Sequence, residues 1–342
     1  MDEPLSTLAR EAAETPEAAR RQGERNRAIL ADLGARLRAA PPRVVVTGAR
    51  GSSANAALYG KHLIETVLGR PVAHLAHNVA SVYEAPVDLR DGLFVAVSQG
   101  GRSPDLLRLT QAARDGGALV VGIVNDEGSP LAALCEVVLP LCGWPERGVA
   151  ATKSHLLTAL AFLDLVAHWS GRDDLHAAVR ALPDALGAAL TLDWRPALEE
   201  LVAVRNLFVV GRGAGMGAAQ EVALKCKESC GLHAEAFSAA EIIHGPLAMV
   251  GPDLPVLALG QEDAAAESIR AAVARMVGQG ARVWSALDVA GAMTLPTVPG
   301  VPPVLAPLCQ TASFYAAVTT LARARGWDPD APPHLQKIMT TR

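Results

Sequence analysis

Glu221, Lys225 and Glu228 recur at i, i+4 and i+7, which gathers two carboxylates and an ammonium on one helix face. A solvated row of ion pairs is the ordinary reading of such a spacing. Here the remaining residues of the segment are mostly apolar or small, and a dense polar run follows: His233-Ala234-Glu235, then Glu241-Ile242-Ile243-His244-Gly245-Pro246. A carboxylate beside a lysine, with His244 a short way on, supplies the parts for moving protons on a substrate. On the residues alone both readings stand.

A second set is rich in hydroxyls. Gly51-Ser52-Ser53 and Ser98-Gln99-Gly100-Gly101-Arg102-Ser103 each follow a short apolar run and precede a helical pattern. Hydroxyls, loop N–H groups and the positive end of a helix together suit a phosphate group. One such loop is ordinary turn-and-cap chemistry; two at successive strand ends favour an anion site. No G-x-x-x-x-G-K-[ST] sequence occurs, and Gly211-x-Gly213-x-Gly215-x-Gly217 departs from G-x-G-x-x-G, so neither a Walker loop nor a dinucleotide site is indicated and no cofactor is expected.

The elements that must position these residues follow from the apolar pattern. Residues up to about 40 read as helix, stopped by Pro41-Pro42. Val44-Val45-Val46-Thr47-Gly48 then reads as a buried parallel strand, and the theme recurs at Leu93–Ser98, Leu119–Val124 and Val137–Leu141 with helical stretches between. A second set repeats it: Leu207–Gly211, Val256–Gly260, Gly280–Trp284 and Leu295-Pro296. The chain is therefore expected to be α/β, a duplication of two doubly wound parallel-sheet subdomains with an N-terminal helical segment. The expected division is a helical segment over 1–42, a phosphate-binding subdomain over 43–170, a helical connection over 171–200, a subdomain bearing the acid–base helix over 201–325, and a tail over 326–342. Only the first half carries hydroxyl-rich strand-end loops, so one half is expected to hold a ligand that the other does not.

Bulk properties narrow the class. The chain has 342 residues, half of them hydrophobic but only 4% aromatic, a composition suited to helices packed on parallel sheets. A net charge of −4 argues against a nucleic-acid surface. The arginines between Arg10 and Arg38 are interleaved with acids and read as a solvated helix face. The five cysteines form no CxxC pair, which fits reduced thiols of a cytoplasmic protein; Cys226 and Cys230, four apart, are read as small core residues, and no metal site is expected. No signal peptide is visible, and the longest apolar stretch, Leu156–Trp169, is too short and too polar to span a membrane.

The segment Glu221–Glu228, with His233-Ala234-Glu235-Ala236 and His244-Gly245-Pro246-Leu247 after it, resembles the sugar isomerase (SIS) family, in particular the isomerase domain of glucosamine-6-phosphate synthase. Ser98-Gln99, Val149-Ala150-Ala151-Thr152-Lys153 and Leu335-Gln336-Lys337 match in the same order, so the resemblance runs from about residue 43 to the end. Ser103-Pro104-Asp105-Leu106-Leu107 and Pro145-Glu146-Arg147 are closest in flavour to the stand-alone, second type of glucosamine-6-phosphate deaminase. The resemblance implies that Ser52, Ser53, Ser98, Gln99 and Ser103 hold a 6-phosphate, with Val149 also at the substrate. It implies that Glu228 shuttles a proton between C1 and C2, with Glu221 and Lys225 ordering the site around it. His244 would assist ring opening from the partner subunit of a homodimer with shared active sites, and Lys337 on the tail would form or support a Schiff base.

Three departures stand out. Gly100 occupies the place of a phosphate-binding serine, Arg50 that of a cysteine and Ala151 that of a serine. A missing hydrogen bond to a charged group costs roughly 1.5–3 kcal/mol, and Arg50 or Arg102 is positioned in sequence to compensate. Asp2 rather than a cysteine nucleophile follows Met1, so ammonia from glutamine is not expected. The expected activity is conversion of glucosamine 6-phosphate and water to fructose 6-phosphate and ammonia. Alternatives are a fructosamine-6-phosphate deglycase, a plain aldose–ketose isomerase and a non-catalytic sugar-phosphate sensor.

Overall fold

The computed structural model describes residues 5–143 and 145–337. Two helices, α1 (Thr7–Ala13) and α2 (Thr15–Ala39), lead into strand β1 (Val44–Gly48). Helix α3 (Gly51–Leu68), strand β2 (Val72–His74), helix α4 (Asn78–Ser81), strand β3 (Gly92–Ser98), helix α5 (Pro104–Asp115), strand β4 (Leu119–Val124), helix α6 (Pro130–Leu134) and strand β5 (Val137–Pro140) follow. The strands form one parallel sheet in the order β2-β1-β3-β4-β5. Its middle strands are covered on both faces, which is why Val45, Val95 and Val121 are all fully buried and the strands read as unbroken apolar runs.

Helices α7 (Lys153–Ser170), α8 (Asp173–Ala189) and α9 (Arg195–Glu199) precede the second set. That set is strand β6 (Asn206–Gly211), helix α10 (Gly215–Cys230), strands β7 (His233–Ser238) and β8 (Val256–Ala258), helix α11 (Ala266–Gly278), strands β9 (Val283–Ser285) and β10 (Met293–Thr294), and helix α12 (Ala306–Ala324). Its parallel sheet is ordered β10-β9-β8-β6-β7. Read from the other edge, this is the strand order of the first sheet, so the pattern read as a duplication corresponds to one topology used twice.

By compactness the chain divides into two units. One holds the first sheet, residues 17–146 and 153–181; the other holds the second sheet, residues 5–16, 147–152 and 182–337. In the first-sheet unit α7 is buried on nearly every side, which explains its apolar sequence as a core helix. A Cβ at Gly60 of α3 would stand 2.3 Å from Phe162 of α7, so glycine is what lets these two helices approach. No helix among the described residues is long and apolar enough to cross a membrane. Arg20, Arg21, Arg25 and Arg36 lie exposed on α2 with acidic partners, as the interleaved charges imply, while the opposite side buries Leu30, Leu33 and Leu37.

One reading of the sequence changes. His233-Ala234-Glu235, part of a polar run in the sequence, opens β7, an edge strand on which His233 and Glu235 are exposed and Ala234 is buried. The tail expected over 326–342 is anchored through its described residues. Pro329 and Pro332 are buried, and the Asp330 carboxylate accepts the backbone N–H groups of Thr7 (2.7 Å) and Leu8 (3.1 Å) at the start of α1. A carboxylate there satisfies donors that the first helical turn leaves unpaired.

Candidate active site

In the first-sheet unit, β1 and β3 are adjacent strands, and β2 lies on the far side of β1. Their connections therefore diverge, which makes their carboxyl ends the switch point where parallel sheets leave a crevice. Ser52 and Ser53 lie in the first turn of α3 just after β1, Ser52 buried and Ser53 half-buried. The Ser52 carbonyl lies 2.9 Å from Nδ1 of His155, which ties this turn to α7. Ser98 ends β3, and its Oγ accepts the Gly101 N–H at 3.0 Å. Gln99 is fixed through its carbonyl, which accepts the Asn125 N–H at 3.3 Å. Ser103 precedes α5 and donates its hydroxyl to Oδ1 of Asp105 at 2.5 Å. The five residues expected at a phosphate thus sit on two neighbouring strand ends.

Asp105, present in the sequence motif but given no role there, anchors this region. Only 1% exposed, its carboxylate also accepts the Leu106 N–H at 2.8 Å and pairs with Arg50. Arg102 in turn pairs with Asp126 at 2.8 Å. The two arginines considered as substitutes for the missing serine are thus each committed to an aspartate. Position 100 itself is open: a Cβ there would meet no atom within 4 Å. His77 is a further group the sequence reading missed. It is buried with Nδ1 3.7 Å from the Asp105 carboxylate. Burial, then the charge of Arg50 and the neighbouring His74, lowers its pKa to about 4, so it is neutral at pH 7.

In the second-sheet unit the i, i+4, i+7 row becomes a buried acid–base array. Glu221 and Lys225 are fully buried; Glu228 is the outermost, with 26% of its side chain exposed. Lys225 Nζ lies 3.1 Å from Oε1 of Glu221 and donates to Oε2 of Glu228 at 2.6 Å. Burial pulls the Lys225 pKa down, but the Glu221 and Glu228 carboxylates outweigh it and the net shift is upward, so the ammonium stays charged. Tyr315 of α12, which carries no motif in the sequence, donates its hydroxyl to Oε1 of Glu221 at 2.7 Å. Cys226 and Cys230 are buried, and burial raises both thiol pKa values, that of Cys230 to about 12. They behave as small core residues.

The same unit joins the tail to the loop at 147–152. Lys337 Nζ donates to the Gly148 carbonyl at 2.6 Å, next to half-buried Val149. From α1, Glu11 accepts the N–H groups of Arg147 and Gly148 (3.1 Å). Glu11 is only 4% exposed, so the N-terminal helix braces the loop that Lys337 touches. His244 is exposed at the end of a short 3₁₀ turn.

Comparison with known proteins gives this arrangement a family. The SIS domain model matches residues 37–168 and 200–288, and the chain belongs to that family. It is 34% identical over 323 residues to the isomerizing glutamine–fructose-6-phosphate aminotransferase of Symbiobacterium thermophilum, a match covering 87% of this chain and 52% of that protein. The chain thus spans about half the length of the curated relatives it matches. A crystal structure assigned to a phosphosugar isomerase of Silicibacter pomeroyi superimposes with a TM-score of 0.91 at 39% identity, covering 95% of this chain and all of the other. Glucosamine-6-phosphate deaminase of Thermotoga maritima shares the fold, with a TM-score of 0.76 at 22% identity over 98% of this chain and 100% of that one.

Proposed function

We propose that this chain is a phosphosugar isomerase that deaminates an amino-sugar 6-phosphate, converting glucosamine 6-phosphate and water to fructose 6-phosphate and ammonia. The observation that carries the proposal is the Glu221–Lys225–Glu228 row: a buried carboxylate and a buried ammonium stand behind a partly exposed carboxylate. That is the arrangement expected of a general base, whereas a solvated ion-pair row would leave all three exposed. Glu228 takes a proton from C2 and returns it to C1. Ser52, Ser53, Ser98, Gln99 and Ser103 hold the phosphate, aided by loop N–H groups and the start of α3. Val149 packs at the substrate, Lys337 meets the open-chain carbonyl, and His244 serves ring opening across the interface of a cytoplasmic homodimer. The names of the relatives support a sugar-phosphate substrate.

Ammonia release from a panel of hexosamines and their 6-phosphates tests this. Glucosamine 6-phosphate is expected to turn over and glucosamine to be a poor substrate; equal turnover of the two would overturn the phosphate assignment.

A further inference from the structure

We infer that Tyr315 is a positioning residue for the reaction, acting on Glu228 through Glu221 and Lys225; the inference rests on the proposed role of Glu228 as base. Helix α12 packs along α10 and brings Tyr315, itself fully buried, to the inner end of the row. Its hydroxyl donates to Oε1 of Glu221, the same oxygen that faces Lys225 Nζ. The contacts form one line from Tyr315 Oη to Glu221, to Lys225 Nζ and to Oε2 of Glu228, running from a dry interior to the single partly exposed carboxylate.

Each link restrains the next. A fully buried carboxylate needs donors for its lone pairs, and without the hydroxyl it turns to claim more of the Lys225 ammonium beside it. Lys225 has three N–H donors on a flexible four-carbon stem, so it is free to follow Glu221 inward. The 2.6 Å bond to Glu228 is what that shift would sacrifice, and Glu228 would lose the ammonium that fixes the orientation of its carboxylate. A proton shuttle spanning two carbon atoms depends on that orientation, and misplacement by a fraction of an ångström is enough to slow it. None of these four residues is among those proposed to hold the phosphate, so the effect is expected in kcat rather than in KM.

Tyr315→Phe keeps the ring and removes the hydroxyl. Steady-state ammonia release from glucosamine 6-phosphate should show kcat lowered on the order of tenfold with KM within about twofold. Glu221→Gln should lower kcat similarly, and the double variant should be no worse than the poorer single one, because both act on the same link. If Tyr315→Phe does not fold, Glu221→Gln against Lys225→Arg provides the same cycle one link further on. Wild-type kcat in Tyr315→Phe, or losses that multiply in the double variant, would overturn the inference. Glu228→Gln is run beside them. If it keeps wild-type turnover, the reading of the reaction fails; if it is inactive while Tyr315→Phe is not impaired, only the role of Tyr315 fails.

Discussion

Replacing Lys225 with methionine keeps the volume of the side chain and removes its charge. The cost follows from where the charge sits. Breaking a buried ion pair by deleting one partner typically costs about 3–5 kcal/mol, because the other charge stays buried and uncompensated. Glu228 is partly exposed and recovers hydration; Glu221 is fully buried and keeps the Tyr315 hydroxyl. The Tyr315 hydrogen bond to that carboxylate stays in place, which puts the loss near the lower end, about 3 kcal/mol. For a folding unit of this size that corresponds to roughly 6–12 °C in Tm. Scanning calorimetry, following the transition of the unit that carries α10, measures it. Loss of the ammonium makes the Glu221 carboxyl easier to protonate, so the deficit should be smaller at pH 5 than at pH 7.5. Adding Glu221→Gln should recover stability, since it removes the stranded charge. A Tm for Lys225→Met within 2 °C of wild type at pH 7.5, or a further loss on adding Glu221→Gln, would refute the reasoning.

Gly100→Ser restores the hydroxyl that the family resemblance leads one to expect, at a position with open space around the new Cβ; KM for the sugar phosphate should fall several-fold, up to about tenfold for one charged hydrogen bond, with Tm unchanged. Asp330→Ala removes the carboxylate that accepts the first N–H groups of α1 and should lower stability by about 1–2 kcal/mol in urea unfolding. The third concerns pH. With a folded pKa near 4 against an unfolded value near 6.5, His77 takes up its proton only in the unfolded chain across that window. Stability should therefore fall as pH drops from about 6.5 to 4, and His77→Gln should flatten that part of a thermal-melt pH series.

The fold was legible where the chemistry of burial is unambiguous. The central strands β1, β3, β4 and β6 are apolar because both faces are covered, so their bounds in sequence and structure nearly coincide. The edge strands β2 and β7 were not, because a strand with one open face tolerates His74, His233 and Glu235. In the candidate site, residues on one helix or one loop were found through spacing, as with Glu221, Lys225 and Glu228. Residues that act through tertiary contact left no local signal. Tyr315 lies 94 positions from Glu221, and Glu11 lies 137 from Gly148. Glu11 was read among the charges of a solvated helix face; its burial depends on a loop that the local pattern does not reveal. Asp105 was the one missed anchor with a usable signal, an acid just inside a helix start and two residues from a serine.

The central claim is that Glu228 moves the proton between C1 and C2 of a sugar 6-phosphate. Glu228→Gln is nearly isosteric, and Glu221 and Lys225 remain behind it to hold the fold. Ammonia release from saturating glucosamine 6-phosphate, compared between wild type and this variant, tests the claim most directly. A loss of about 10²–10⁴-fold in kcat with little change in KM is predicted; turnover within threefold of wild type would contradict it.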